Sequence, residues 1–268
     1  DKAEELAQTK LRYFTNISHD FLTPLTIISC LIDDVETTHK DKIRHFDAMR
    51  SNINRLRRLL QQVLDFRKVE SGNMRLKLSY GDVVMFIRDT CYTNFLPLMN
   101  KKNITFSFYS EPNQIFAYFD ADKIDKIIFN LLSNAFKYTP ENGEVNIRLE
   151  KYVQQKHPHL FIKISDTGVG IPPKDIKHVF TRFYNNKTGN ASETNGIGLS
   201  LTKDLVELHH GSINVESQVN IGTSFIITFP IDRDSYNEIE LGKSEDIIMY
   251  EKDMNLVPDE ELHEEVHD

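Results

Sequence analysis

The chain has 268 residues, of which 40% are hydrophobic, with a formal net charge of -8. That is enough for one large or two modest domains with a real core, and no run approaches the 18 or more apolar residues of a membrane span. Twelve acidic residues against two lysines between 237 and 268 carry the charge excess, so the rest is nearly neutral and gives no reason to propose a nucleic-acid partner.

In chain order, Leu11, Phe14, Ser18, Phe21, Leu25, Ile28, Ile32 and Val35 recur at spacings of three and four, a heptad seam on a helix. Thr37 to Lys42 is a short polar connection. A second seam follows at Phe46, Met49, Ile53, Leu56, Leu60 and Val63 and stops near Ser71-Gly72-Asn73. A two-helix hairpin cannot bury both seams alone, so dimerisation into a four-helix bundle is expected. Cys30 and Cys91 sit in apolar, periodic surroundings and read as buried thiols rather than a disulfide.

After Gly72 the pattern changes. Met74–Leu78 alternates like a strand, and Asp82 is placed to cap a helix running to Asn100. Strands are expected at Ile104–Phe108, Ile115–Tyr118, Val145–Val153, Leu160–Ile164, Ile213–Val215 and Ser224–Phe229. Helices are expected over 122–138 and 199–209, the second stopped by Gly211. Helices mixed with an antiparallel sheet predict a two-layer α/β sandwich, an α+β fold overall. The expected organisation is a helical hairpin over 1–72, the α/β sandwich domain over 73–236, and an acidic tail or linker over 237–268.

Chemistry enters at Ile17-Ser18-His19-Asp20-Phe21-Leu22-Thr23-Pro24-Leu25. A histidine beside a carboxylate interrupts the seam, and a proline that costs roughly 3 kcal/mol inside a helix follows within about a turn. His19 lies one step off the seam, toward the bundle surface. Neutral imidazole is a nucleophile near pH 7, and Asp20 is placed to hold one ring nitrogen and leave the other to attack.

Downstream, Asn130, Asn134, Lys137 and Tyr138 fall on one helical face, opposite Ile127, Ile128, Leu131, Leu132 and Ala135. Amide oxygens suit Mg²⁺ and lysine suits phosphate. Asp166-Thr167-Gly168-Val169-Gly170-Ile171-Pro172 follows a strand, so its glycines permit close approach of a ligand and its carboxylate can accept from an exocyclic amine. Phe180-Thr181-Arg182-Phe183-Tyr184 comes next, then a polar stretch from Asn185 to Thr194 that fits a lid. Asn195-Gly196-Ile197-Gly198-Leu199 opens a helix, a phosphate cradle of backbone N–H groups.

These strings, with Gly222-Thr223-Ser224-Phe225, resemble in order and spacing the N, G1, F, G2 and G3 boxes of the ATPase domain of sensor histidine kinases, and the His19 string resembles their H-box. The resemblance spans about residues 10 to 230. It implies autophosphorylation of His19 from ATP and Mg²⁺, then transfer to an aspartate of a response-regulator receiver domain, with His19, Asp20 and Thr23 catalytic. Thr23 is implied to position a water that dephosphorylates the regulator. It implies Mg²⁺ on Asn130, with Asn134 and Lys137 near the phosphates and Tyr138 beside the nucleotide. Asp166 would read adenine N6, with Gly168, Gly170, Ile171 and Thr223 around the base, and Gly196, Ile197, Gly198 and Leu199 at the phosphates. Lys187 would stand in for the basic residue that often follows the Phe-Tyr pair. The resemblance further implies a homodimer and the cytoplasmic portion of an inner-membrane sensor whose present segment does not itself touch the membrane. A receiver domain beyond the tail would make it a hybrid type. Thr194, Asn185 and Asn220 depart from the family's usual pattern, as do Asp20 and Leu22 in the H-box. A catalytically weak nucleotide-binding dimerisation scaffold is the alternative reading.

Overall fold

A computed structural model describes residues 21–32, 42–184 and 196–241. His19, Asp20, Lys187, Thr194, the 37–41 connection, the seam residues Leu11, Phe14, Ser18 and Val35, and the tail from 242 lie outside the described residues.

Residues 21–32 form helix α1, helical through Pro24. Helix α2 spans Lys42–Glu70. It ends as a left-handed glycine ends a helix: Gly72 has φ +67°, and the Asn73 N–H returns to the Lys68 carbonyl at 2.9 Å. Leu25, Ile32, Phe46, Ile53 and Leu60 are exposed, so these seam positions are not covered by the described residues.

Strand β1 (Ser79–Asp82) leads into helix α3 (Val83–Lys102), and Asp82 caps that helix by accepting from Val84 N and Met85 N, as expected. Strands β2 (Thr105–Glu111) and β3 (Phe116–Phe119), helix α4 (Ala121–Tyr138), and strands β4 (Glu144–Gln154) and β5 (His157–Asp166) follow. The short helix α5 (Pro173–Ile176), helix α6 (Gly198–Leu208) and strands β6 (Ser212–Gln218) and β7 (Gly222–Pro230) complete the domain. β1 pairs with β3, and the main sheet has the order β2-β4-β5-β7-β6. β2 runs parallel to β4 and the other neighbours are antiparallel, so the sheet is mixed rather than the expected antiparallel one.

One layer of helices covers one face of this sheet. The apolar side of α4, with Ile124, Ile127, Ile128, Leu131 and Leu132, is fully buried with Val145, Ile147, Leu160, Ile162 and Ile227 of the sheet. Each such side chain contributes about 1.5–3 kcal/mol on burial. Phe95 of α3 stacks on Phe136 of α4 at 5.2 Å.

Four local expectations are corrected. Met74–Leu78 is extended but not a strand: Lys77 N donates to Asp120 Oδ2 at 2.7 Å and Leu78 N to Glu240 O at 2.9 Å, so these donors are satisfied without a sheet neighbour. Its alternation has a different cause, since Leu76 and Leu78 pack on Tyr236 and Leu241. Asn237 to Leu241, expected as the start of the tail, is therefore held on the domain. His210, not Gly211, takes the left-handed turn after α6, with φ 57°; a Cβ on Gly211 would instead meet Phe229 Cβ at 2.8 Å. Finally, both cysteines are free thiols, but only Cys91 is buried, its pKa pushed up to about 12 by that burial, whereas Cys30 is exposed.

Candidate nucleotide site

The polar face of α4 meets the start of α6. Asn130 Nδ2 donates to Thr202 Oγ1 at 2.6 Å, and Thr202 in turn donates to the Gly198 carbonyl at 2.9 Å. This fixes which way the amide points, with Oδ1 against Gly198. A Cβ on Gly198 would stand 2.6 Å from that oxygen, so the approach requires glycine. Ile197, the residue at the start of α6, has no side chain that can cap it, and no cap bond is made among the described residues, the arrangement that lets helix N-terminal N–H groups receive an anion. Ile197 itself is buried in the core, so it can offer a ligand its backbone and not its side chain, and Leu199 packs half-buried against the same core.

The last turn of α4 carries Lys137 and Tyr138, both exposed, with the Lys137 ammonium 5.4 Å from the Tyr138 ring centre. Asn134 lies one turn earlier, half-buried. The glycine loop after β5 runs beside this turn: a Cβ on Gly168 would be 2.7 Å from the Tyr138 carbonyl. Gly168 N donates to Asp166 Oδ1 at 2.8 Å. Burial raises the Asp166 carboxyl above its ordinary range, against the opposing pull of the Gly168 and Thr223 N–H groups. Gly170 has φ +69°, and a Cβ there would strike the Gln218 backbone.

Ile171 N donates to Ser217 Oγ at 2.8 Å, and Ser217 Oγ lies 2.9 Å from Thr223 Oγ1. Thr223 faces Asp166 in the β5–β7 register. Thr223, expected to line the pocket, is buried, and its hydroxyl is engaged in tying the glycine loop to β6 and β7. Asn130, Asn134, Lys137, Tyr138, Asp166, Gly168, Gly170, Ile171, Thr223, Gly196 and Gly198 thus come from the second half of α4, the end of β5 and the loop after it, the start of β7, and the turn that opens α6.

Phe183 N donates to the Gly196 carbonyl at 2.9 Å, which ties the Phe180–Tyr184 segment to the turn before α6. Tyr184 Oη donates to Asp175 Oδ1 at 2.6 Å. Phe180 and Phe183 pack against the core. Thr23 is half-buried on α1, and Phe21, two positions after His19, packs against the main core.

Sequence reasoning missed Thr202 and Ser217, whose hydroxyls orient Asn130 and the glycine loop. It also missed the contact between α2 and the sandwich. Asp65 pairs with Lys126 at 2.8 Å, Arg58 lies 4.0 Å over the Phe129 ring, and Phe66 meets Phe183 edge-on at 5.7 Å. An acidic residue in the apolar run Val63-Leu64-Asp65-Phe66 was the available signal.

Among the described residues, no cluster of His, Cys, Asp or Glu is arranged to hold a metal ion, and no helix is long and apolar enough to cross a membrane. A hard cation entering here would meet amide oxygen at Asn130, a chemically suitable donor.

Residues 9–72 match the His Kinase A (phospho-acceptor) domain, and residues 119–233 match the histidine kinase-, DNA gyrase B- and HSP90-like ATPase family. Histidine kinase P4 of Formosa agariphila is 33% identical over 95% of this chain, which spans 19% of that relative. The autoinducer 2 sensor kinase/phosphatase LuxQ of Vibrio vulnificus is 29% identical over 88% of this chain, which spans 28% of it. The catalytic domain of histidine kinase ThkA superimposes with a TM-score of 0.53 at 26% identity, covering 60% of this chain and all of that domain. With a phosphoacceptor module preceding an ATPase module whose glycine loop, polar helix face and second glycine turn converge, the chain belongs to the histidine kinase family, as a sensor-kinase core.

Proposed function

We propose that this core binds ATP between α4, the 166–172 loop and the start of α6, phosphorylates His19, and passes the phosphoryl group to an aspartate on a response-regulator receiver domain. The observation that carries the nucleotide half is the Asn130 amide, oriented by Thr202 with its oxygen against Gly198. In this reading Asp166 and Gly168 hold the adenine edge, Lys137 faces phosphate, and the start of α6 takes negative charge.

Phosphoryl transfer needs positioning and charge neutralisation more than covalent help from the protein. The neutral ring nitrogen of His19 forms a bond to the γ-phosphorus as the bond to the bridging oxygen breaks and ADP leaves. Asp20 holds the proton on the other ring nitrogen and stabilises the imidazolium that develops. The receiver carboxylate then takes the phosphorus from nitrogen. Mg²⁺, held through Asn130, would supply charge neutralisation at the phosphates.

The exposed seam on α1 and α2 supports a homodimer, since five large apolar seam side chains are left uncovered by the described residues. We assign residues 1–72 to dimerisation and phosphotransfer and 73–236, together with the docked Asn237–Leu241, to catalysis, with 242–268 as a tail. We place the core on the cytoplasmic side of a membrane sensor. Thr23, on the helix after His19, supports a role in removing phosphate from the regulator, an activity the name of the LuxQ relative also carries.

The test is incubation with γ-labelled ATP and Mg²⁺. Label lost in acid, stable in alkali and absent from His19→Ala, with ATP binding retained, is the expected result. Acid-labile label retained by His19→Ala would overturn the assignment.

A further inference from the structure

The last four carbonyls of any α-helix lack partners within it, and at the end of α4 each has a partner from elsewhere. The Ala135 carbonyl accepts from Thr139, through its N–H at 3.0 Å and its hydroxyl at 2.6 Å. The Tyr138 carbonyl accepts from Val169 N in the glycine loop at 3.4 Å. The remaining two, of Phe136 and Lys137, and the Thr139 carbonyl just beyond, converge on one ammonium: Lys102 Nζ donates to them at 2.7, 3.3 and 3.0 Å. An ammonium has three N–H donors, so all are spent here.

Lys102 is the last residue of α3. Its own carbonyl accepts from Asn142 N at 3.2 Å, beyond the same end of α4, and Asn103, at φ 50°, turns the chain immediately after it. The side chain is thus held at its root and at its tip. Its positive charge meets the negative end of the α4 dipole. Removing it would take from two consecutive carbonyls of the turn that carries Lys137 and Tyr138 the charged donor they share, while the Tyr138 carbonyl stayed tied to the glycine loop.

We propose that Lys102 is a positioning residue for the nucleotide: it clamps the last turn of α4 and so sets where Lys137 and Tyr138 stand relative to the Asp166–Gly168 loop. The proposal rests on the reading of α4 and that loop as the ATP site. Lys102 acts through the carbonyls it holds and not by touching ATP.

The experiment compares the full chain with Lys102→Met, which keeps the stem and removes the donors, Lys102→Arg, which keeps charge and donors, and Lys101→Met on the exposed neighbour. ATP affinity is measured by direct titration, KM and kcat by autophosphorylation, and folding by thermal melting. Lys102→Met is expected to weaken ATP binding and raise KM about tenfold, the weight of one charged hydrogen bond, with kcat at saturating ATP within about twofold. Lys102→Arg recovers most of the affinity, and Lys101→Met matches the unmodified chain. A folded Lys102→Met with unchanged affinity and KM overturns the proposal, even if its melting temperature drops. So does an Arg variant as weak as the Met variant. Should Lys102→Met not fold, Lys102→Gln, which retains donors without charge, is read by the same criteria. Absence of ATP binding by the unmodified chain would instead remove the site reading, and this proposal with it.

Discussion

Asp65 on α2 and Lys126 on α4 form an ion pair of 2.8 Å in which the Asp65 side chain is only 3% exposed. Gln61 Nε2 donates to the other oxygen of that carboxylate at 2.9 Å, and Lys126 also holds Asp122 at 2.8 Å on the solvent side. Beside it, Arg182 lies 5.2 Å from the Phe66 ring and 3.4 Å from Asp204. The C-terminal end of α2 is therefore docked on the ATPase domain through a buried charge flanked by aromatic contacts.

Two carboxylates on one ammonium give an internal control. Asp65→Ala leaves Lys126 and Gln61 short of a buried acceptor and should cost about 1–3 kcal/mol. Asp122→Ala removes a carboxylate that is 66% exposed and should cost under about 0.5 kcal/mol. Denaturant melts of the two variants check this. Equal costs would mean that the α2 contact is not formed in solution.

Asn130 and Thr202 should behave as one unit. Asn130→Ala removes the amide oxygen proposed to hold the cation and should lower autophosphorylation on the order of 100-fold or more. Thr202→Val leaves the amide but removes the hydroxyl that orients it, for about a tenfold loss. If Thr202 works through Asn130, the double variant is no slower than Asn130→Ala alone. Labelling rates of the three variants decide it; a multiplicative loss would give Thr202 a separate role.

Gly198 tests the closeness of α6 to α4. A methyl group there would stand 2.6 Å from Asn130 Oδ1, so Gly198→Ala must displace the amide or the start of the helix. Misplacing a reacting group by about an ångström can cost roughly 100-fold. Autophosphorylation by Gly198→Ala is expected to fall by that order while the melting temperature changes little, since alanine favours a helix. Full activity would show that the amide oxygen is not used.

The site was legible in the sequence where several residues share one face or one loop. The amphipathic split of α4 set Asn130, Asn134, Lys137 and Tyr138 apart from the core, and glycines marked the two turns that must pass close to other groups. Thr202 and Ser217 were not legible, because a lone hydroxyl on an amphipathic helix or strand has no signature until its partner arrives from elsewhere in the chain. Asp65 stands out in its apolar run, but nothing local to α2 says that its partner is Lys126 on α4. The direction of β2 against β4 was hidden because alternation is the same in parallel and antiparallel strands. Met74–Leu78 misled for a related reason: burial of alternate leucines on Tyr236 imitates a strand.

Asp166 should trade stability for recognition. Burial holds its carboxyl above the ordinary 3.8 in the folded chain, so between 3.8 and that raised value the folded state binds more protons than the unfolded one. Stability contributed by this group is then fully present below 3.8 and is lost as pH rises through the raised folded value. At neutral pH the carboxylate is therefore a cost to the fold, retained in the reading above because an adenine amine needs an acceptor. Asp166→Asn keeps one oxygen for the Gly168 and Thr223 N–H groups and removes the charge. It is expected to melt at the same or a higher temperature at pH 7, with weaker ATP binding, because its added NH₂ opposes the adenine amine. In the unmodified chain ATP affinity should fall on acidification, with a midpoint above that of an ordinary aspartate, and the Asn variant should lack that step. Titrations of ATP binding against pH on both proteins make the comparison, and an acid step that persists in Asp166→Asn would assign the proton to another group.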